Sequence, residues 1–240
     1  MEKFDYYDEN TNLIFHKLNI KENSAEQSPQ DNSIVSILNS WKSSSITDYL
    51  LCGCKTTGLG NFFSYLVLDN ENVDSYLYGI SDGTSQEVIG ATLLVPNYRI
   101  THRDLLIHAH KLKKIEEKHP EILKNFTQDF PTTDMDSLSL EKLIDITARG
   151  LLISALCIDP EITSSRERRK LAYGSRAIAS ILNNPSHFND GIQPLCIMGN
   201  VDQSNFRSSS MLERNGFIPV HNPNGFDSYF NFNPDFETNN

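Results

Sequence analysis

The chain has 240 residues, 38% of them hydrophobic, and a formal net charge of −10. That length supports one sizeable core, and the acidic balance excludes general binding to nucleic acid or to anionic membrane surfaces. No apolar run approaches the ~20 residues of a membrane-spanning helix, and the first ten residues, acidic and aromatic, are unlike a signal peptide.

Residues 13–20 alternate apolar and polar side chains and predict the first strand. Residues 21–32 are polar and turn-like. Two short helices are expected at 34–41 and 46–51, with Ile34, Ile37, Leu38 and Trp41 on the inner face of the first. Residues 61–69 and 75–81 are aromatic-rich and β-prone. Another strand, 88–95, follows the turn Asp82-Gly83-Thr84.

Residues 97–150 then switch to helical periodicity. Leu105, Leu106, Ala109, Leu112 and Ile115 share one face, and Leu138, Leu140, Leu143, Ile144 and Ile146 share another. Two continuously apolar runs, 151–158 and 192–198, read as strands buried on both faces. A helix at 175–182 lies between them, and helical spacing recurs from Phe206 to Leu212. Residues 217–220 and 229–232 form an expected hairpin around Asn222-Pro223-Asn224-Gly225, and 233–240 an expected frayed tail. The alternation of elements predicts a single α/β (α+β) domain over 1–240, with 97–150 as a helical insertion.

Four cysteines are present. Cys157 and Cys196 sit in apolar runs and read as core thiols, while Cys52-Gly53-Cys54 is too closely spaced for a metal chelate. This usage suits a reducing, cytoplasmic setting. His102, His108, His110 and His119 fall in the insertion. His108 and His110 are two apart, so on a helix they point away from each other, and no metal site is expected.

The sharpest local signal is the loop after the first apolar run. Arg169, Lys170, Leu171, Ala172, Tyr173 and Gly174 run straight into the helix that begins near Ser175. Amides at a helix start lack partners and point at an anion, and small residues let the backbone come close. Arg166, Glu167, Arg168, Arg169, Lys170 and Arg176 together give +4 within eleven positions of an acidic chain. The bland alternative, a solvated helix start, fits the loop equally well when it is taken alone.

With the flanking residues included, the chain resembles the GNAT superfamily of N-acetyltransferases. Arg169 to Gly174 is similar to that family's coenzyme loop, Gln/Arg-x-x-Gly-x-Gly/Ala, with Ala172 in place of the first glycine. Asn205, Met211-Leu212-Glu213-Arg214 and Gly216-Phe217 resemble its second motif, and Val88 to Leu93 resembles its third strand, with Gly90 at the glycine. The resemblance implies a GNAT-like mixed, mostly antiparallel sheet of six to seven strands flanked by helices, with the insertion between the third and fourth strands.

The resemblance further implies transfer of an acetyl group from acetyl-CoA to a primary amine, with no metal. The amine would belong to a small molecule or a peptide. Lys170, Ala172, Tyr173, Gly174 and Ser175 would hold the pyrophosphate, with Arg169 beside them. Leu156, Cys157 and Ile158 would pair through their backbone with the pantetheine amides, and Asn205 would bond the pantetheine arm.

Three departures stand out. The stretch from Pro160 to Gly174 is longer than the family form. Leu212 stands where many members carry a tyrosine acid, and Asn200 where some carry a glutamate base. The sequence therefore names no catalytic acid or base. Asp202, Asp159, Glu161, Ser209 and Ser210 are the nearby polar candidates, each equally a cap or packing residue. A fold that binds acyl-CoA, or another protein, without catalysis stays open beside the enzyme.

Overall fold

A computed structural model describes residues 5–20, 28–41, 75–101, 147–194, 196–221 and 225–232. The expected helix at 46–51, the strand at 61–69, the apolar faces within 105–146, the four insertion histidines and the Cys52/Cys54 pair lie outside them.

In chain order the described elements are β1 (Asp5–Asp8), β2 (Leu13–Leu18), α1 (Pro29–Ser40), β3 (Tyr76–Asp82), β4 (Val88–Thr101), β5 (Thr147–Ile158), α2 (Pro160–Ser164), a 3-10 turn (Arg168–Leu171), α3 (Tyr173–Asn183), β6 (Cys196–Asp202), α4 (Phe206–Arg214), β7 (Ile218–His221) and β8 (Phe226–Phe232). Hydrogen bonding orders the strands β1-β2-β3-β4-β5-β6-β8-β7. The β1/β2, β2/β3, β3/β4, β6/β8 and β7/β8 pairs are antiparallel. The class is the expected mixed, mostly antiparallel sheet with helices.

The chain divides into two compact units, Met1–Val95 with Ile153–Asn183 and Pro96–Leu152 with Asn184–Asn240. In the first, α1 begins where the Ser28 side chain accepts from the Asp31 amide, with proline in the first turn. That pairing satisfies an orphan donor at a helix start. Ile34 and Leu38, four apart, turn inward onto Leu18, Leu77, Ala91, Leu93, Ala155 and Cys157. Full burial of one such aliphatic side chain stabilises by about 1.5–3 kcal/mol. The register sets His16 opposite Gly79 and Gly79 opposite Ala91. A side chain at Gly79 would meet Ile34.

In the second unit, buried Asn189 accepts from the Asn97 amide at 2.6 Å and donates to the Ile192 carbonyl at 2.9 Å. β6 pairs with β8 from Cys196↔Phe232 to Asp202↔Phe226, and β7 pairs with β8 from Ile218↔Phe230 to His221↔Asp227. Helix α4 ends in a Schellman motif: Phe217 N–H donates to Leu212 O and Gly216 N–H to Glu213 O, with Gly216 at φ +83°. Only glycine takes that conformation cheaply, and the motif seats Phe217 in the core. This is a structural reason for the Gly-Phe pair.

The structure departs from the sequence expectations at several ends. β1 brings the described strands to eight. It is a short edge strand with an acidic residue at each end, Asp5 exposed and Asp8 buried, and no apolar alternation to announce it. Helix α1 starts at Pro29, inside a stretch expected to be a turn, because the Ser28 cap and Pro29 outweigh its polar composition. β4 runs on to Thr101 and β5 starts at Thr147, so the ends of the expected helical insertion are strand. The second buried strand is Cys196–Asp202 rather than 192–198. Pro194 cannot donate to a ladder and holds the preceding residues out of it. Part of the long stretch after β5 is folded as α2 and the 3-10 turn.

Candidate functional site

The first unit holds every residue of the expected coenzyme set except Asn205. Strand β5 ends where the Asp159 amide donates to Ile89 O at 2.9 Å. The Asp159 carboxylate then caps α2 by accepting from the Glu161 amide at 2.8 Å. This spends Asp159 on structure. Cys157 is buried, and burial, aided by nearby Asp159, pushes its thiol up to about 12. At neutral pH it is an inert core thiol, as expected from the sequence. Leu156 and Ile158 are half-buried. A Cβ at Gly90 would lie 2.7 Å from the Cys157 carbonyl, so β4 and β5 approach closely there only because residue 90 is glycine.

The loop itself closes on Ala172. Its φ of +51° and ψ of +37° put a residue with a side chain in the left-handed region, where the family form has glycine. Its amide donates to Arg169 O, and its carbonyl accepts the first bond of α3, from Arg176 N at 2.9 Å. Among the described residues no side chain accepts from the first-turn amides of α3. The amides of Tyr173, Gly174 and Ser175 have no acceptor among the described residues. Open amides in the first turn of a helix are donors of the kind that suit an anion.

This uncapped start is held from the side. Arg176 donates through Nε and a terminal nitrogen to Thr11 O, at 2.8 and 2.5 Å, and its guanidinium lies over the Tyr173 ring. The Tyr173 hydroxyl donates to Asp82 Oδ2 at 3.1 Å, with Arg176 at 3.6 Å from the same oxygen. Ser180 and Thr11 share a short hydroxyl contact one turn further on. Burial alone would raise the Asp82 carboxyl. The Ser85 and Thr84 amides, the Tyr173 hydroxyl and Arg176 outweigh it and hold the group below the ordinary carboxylate range. Tyr173 moves the other way, raised by burial and then by its bond to Asp82.

The basic cluster therefore splits. Arg176 is committed to Thr11, Asn12 and Asp82. One terminal nitrogen of Arg168 donates to both carboxylate oxygens of Glu87, each at 2.8 Å. Arg169, whose Nε reaches Ser165 O, is exposed, as are Arg166 and Lys170. Among the described residues those three form no ion pair. The sequence counted Arg176 with the polyphosphate charges and missed its structural part, because Thr11 and Asp82 are far away along the chain.

In the second unit, Asn205 begins α4. Its Oδ1 accepts from the Ser208 amide at 3.2 Å, leaving Nδ2 without an acceptor among the described residues. Asp202 Oδ1 accepts from the Ser204 amide. Asn200 accepts from the Ser228 hydroxyl, and Leu212 is core. Ser209 bonds Tyr229, whose hydroxyl is raised chiefly by burial. Glu161 and Ser210 are exposed.

No protein-family model matches the chain, and no curated protein matches it by sequence. Among solved structures it is similar to the Campylobacter jejuni N-acetyltransferase PseH in complex with acetyl coenzyme A, at 9% identity over 92% of this chain and 98% of that one, TM-score 0.44. It is similar to a spermidine N-acetyltransferase from Vibrio cholerae, at 10% identity over 93% and 95%, TM-score 0.43. A third likeness is to a GNAT-family acetyltransferase from Bacillus anthracis, at 10% identity over 96% of each chain, TM-score 0.46.

Proposed function

We propose that this chain is a GNAT-type N-acetyltransferase that moves an acetyl group from acetyl-CoA to a primary amine. The observation that carries the reading is the uncapped start of α3. Three unmatched amides sit behind left-handed Ala172, at the loop whose residues Arg169 to Gly174 resemble the family's coenzyme motif. A diphosphate offers the negative oxygens those donors lack. Arg169 and Lys170 add charge at the same place.

In this reading the backbone of Leu156, Cys157 and Ile158 pairs with pantetheine as an added strand. The amine nitrogen attacks the thioester carbon, the carbon–sulfur bond breaks, and the coenzyme leaves as thiolate. The proton lost by the attacking amine passes to water. Alignment of the two substrates supplies most of the acceleration, and a β5 amide polarises the thioester carbonyl. The acceptor is a small-molecule or peptide amine, and the setting is cytoplasmic.

A second reading, coenzyme binding without turnover, draws on Leu212 and Asn200 standing where the family carries acid and base. Calorimetric titration with acetyl-CoA, followed by a thiol-release assay over polyamines, aminoglycosides and N-terminal peptides, separates the two. Binding with turnover on one amine class supports the transferase. Binding with no turnover supports the second reading, and no binding refutes both.

A further inference from the structure

Within the first unit, the turn between β3 and β4 grips the loop ahead of α3 on both sides of Ala172. Before Ala172, Glu87 accepts from one terminal nitrogen of Arg168, in the 3-10 turn, at 2.8 Å through each oxygen. After it, Asp82 Oδ2 accepts from the Tyr173 hydroxyl at 3.1 Å, with Arg176 at 3.6 Å. The two acids are fixed relative to each other. Asp82 N–H donates to Glu87 O at 3.0 Å and Gln86 N–H to Asp82 O at 2.8 Å. The Thr84 and Ser85 amides donate to Asp82 Oδ1 at 2.9 and 3.0 Å. Just past the turn, Ile89 O accepts from Asp159 N–H, where the long stretch to Gly174 begins.

Ordering a long loop costs backbone entropy, and a loop already ordered before its ligand arrives binds more tightly. Asp82 and Glu87 carry the same sign of charge as a diphosphate, so by charge alone they weaken its binding. We propose that both are positioning residues: the β3–β4 turn holds residues 168–176 in the shape that takes the coenzyme, and this hold outweighs the repulsion. The coenzyme half of the inference rests on the proposed function. The hold on the loop does not.

Glu87→Gln and Tyr173→Phe test it, because charge and hold predict different signs. Glu87 is exposed and Tyr173→Phe keeps the buried ring, so both variants fold. Under the proposal, acetyl-CoA affinity measured by calorimetry falls about threefold in Glu87→Gln and about fivefold in Tyr173→Phe. Hydrogen exchange of the Arg176 amide, which donates to Ala172 O, quickens in both. Charge alone gives higher affinity in Glu87→Gln, which removes a negative group and releases Arg168, and no change in Tyr173→Phe. Higher or unchanged affinity in Glu87→Gln overturns the proposal, and unchanged affinity in Tyr173→Phe removes Asp82 from it. Lower affinity with unaltered Arg176 exchange overturns the hold as the cause. If the unaltered protein binds no acetyl-CoA, the functional reading falls, and the hold stands or falls on Arg176 exchange alone.

Discussion

Helix α3 follows the 3-10 turn and helix α4 follows strand β6, and they start in opposite ways. Helix α4 satisfies its own ends: Asn205 caps the first turn and the Gly216 motif closes the last. Helix α3 has no capping side chain among the described residues, and a left-handed alanine precedes it. Its stability comes from the side, through Arg176, Tyr173 and Ser180 on the turns around Thr11 and Asp82. Local capping and ligand binding compete for the same amides. A helix held by tertiary bonds can leave them open.

The largest break in this comparison is Gly174→Trp. The indole covers the open amides, so acetyl-CoA affinity should fall at least about hundredfold by calorimetry, with the circular dichroism spectrum retained. Next is Arg176→Ala, which takes the side anchor from α3 and leaves Asp82 and the Thr11 carbonyl short of a donor. Loss of such partners costs about 1–3 kcal/mol, read as a lower urea midpoint.

Smaller and opposite effects are expected at the two helix starts. Asn205→Ala should cost about 1 kcal/mol of stability as a lost cap. Ala172→Gly should gain up to about 1 kcal/mol by relieving left-handed strain. Both are read from chemical denaturation, and the same sign at both sites would break the contrast.

The smallest effect is in pH. Asp82 and Asp8 both titrate below the ordinary carboxylate value, each against an opposing push from burial. A depressed carboxyl contributes stability that is present above its unfolded value and lost as pH falls through its folded one. Hydrogen exchange of α3, corrected for intrinsic rate, should therefore lose protection in acid sooner than that of α4, whose Asn205 cap carries no charge. Asp82→Asn should flatten this dependence.

The parts of this arrangement that announce themselves in sequence are the local ones. The apolar run of β5, the amphipathic face of α3 at Ile178 and Ile181, and the β7–β8 hairpin follow from periodicity and turn chemistry. The loop from Arg169 to Gly174 stands out in sequence because small and basic residues cluster there. What escaped was carried by partners remote in sequence. Asp5–Asp8 becomes a strand only because β2 offers an edge. Glu87 claims Arg168, and the carbonyl of Thr11 claims Arg176. The β6 boundary was a local error, since Pro194 was in view.

The most direct test of the account is a titration of the labelled protein with acetyl-CoA, followed by amide resonances. The account predicts saturable shifts at Tyr173, Gly174 and Ser175, larger than those at the capped Ser208 amide. Saturation with those three resonances unmoved would contradict it.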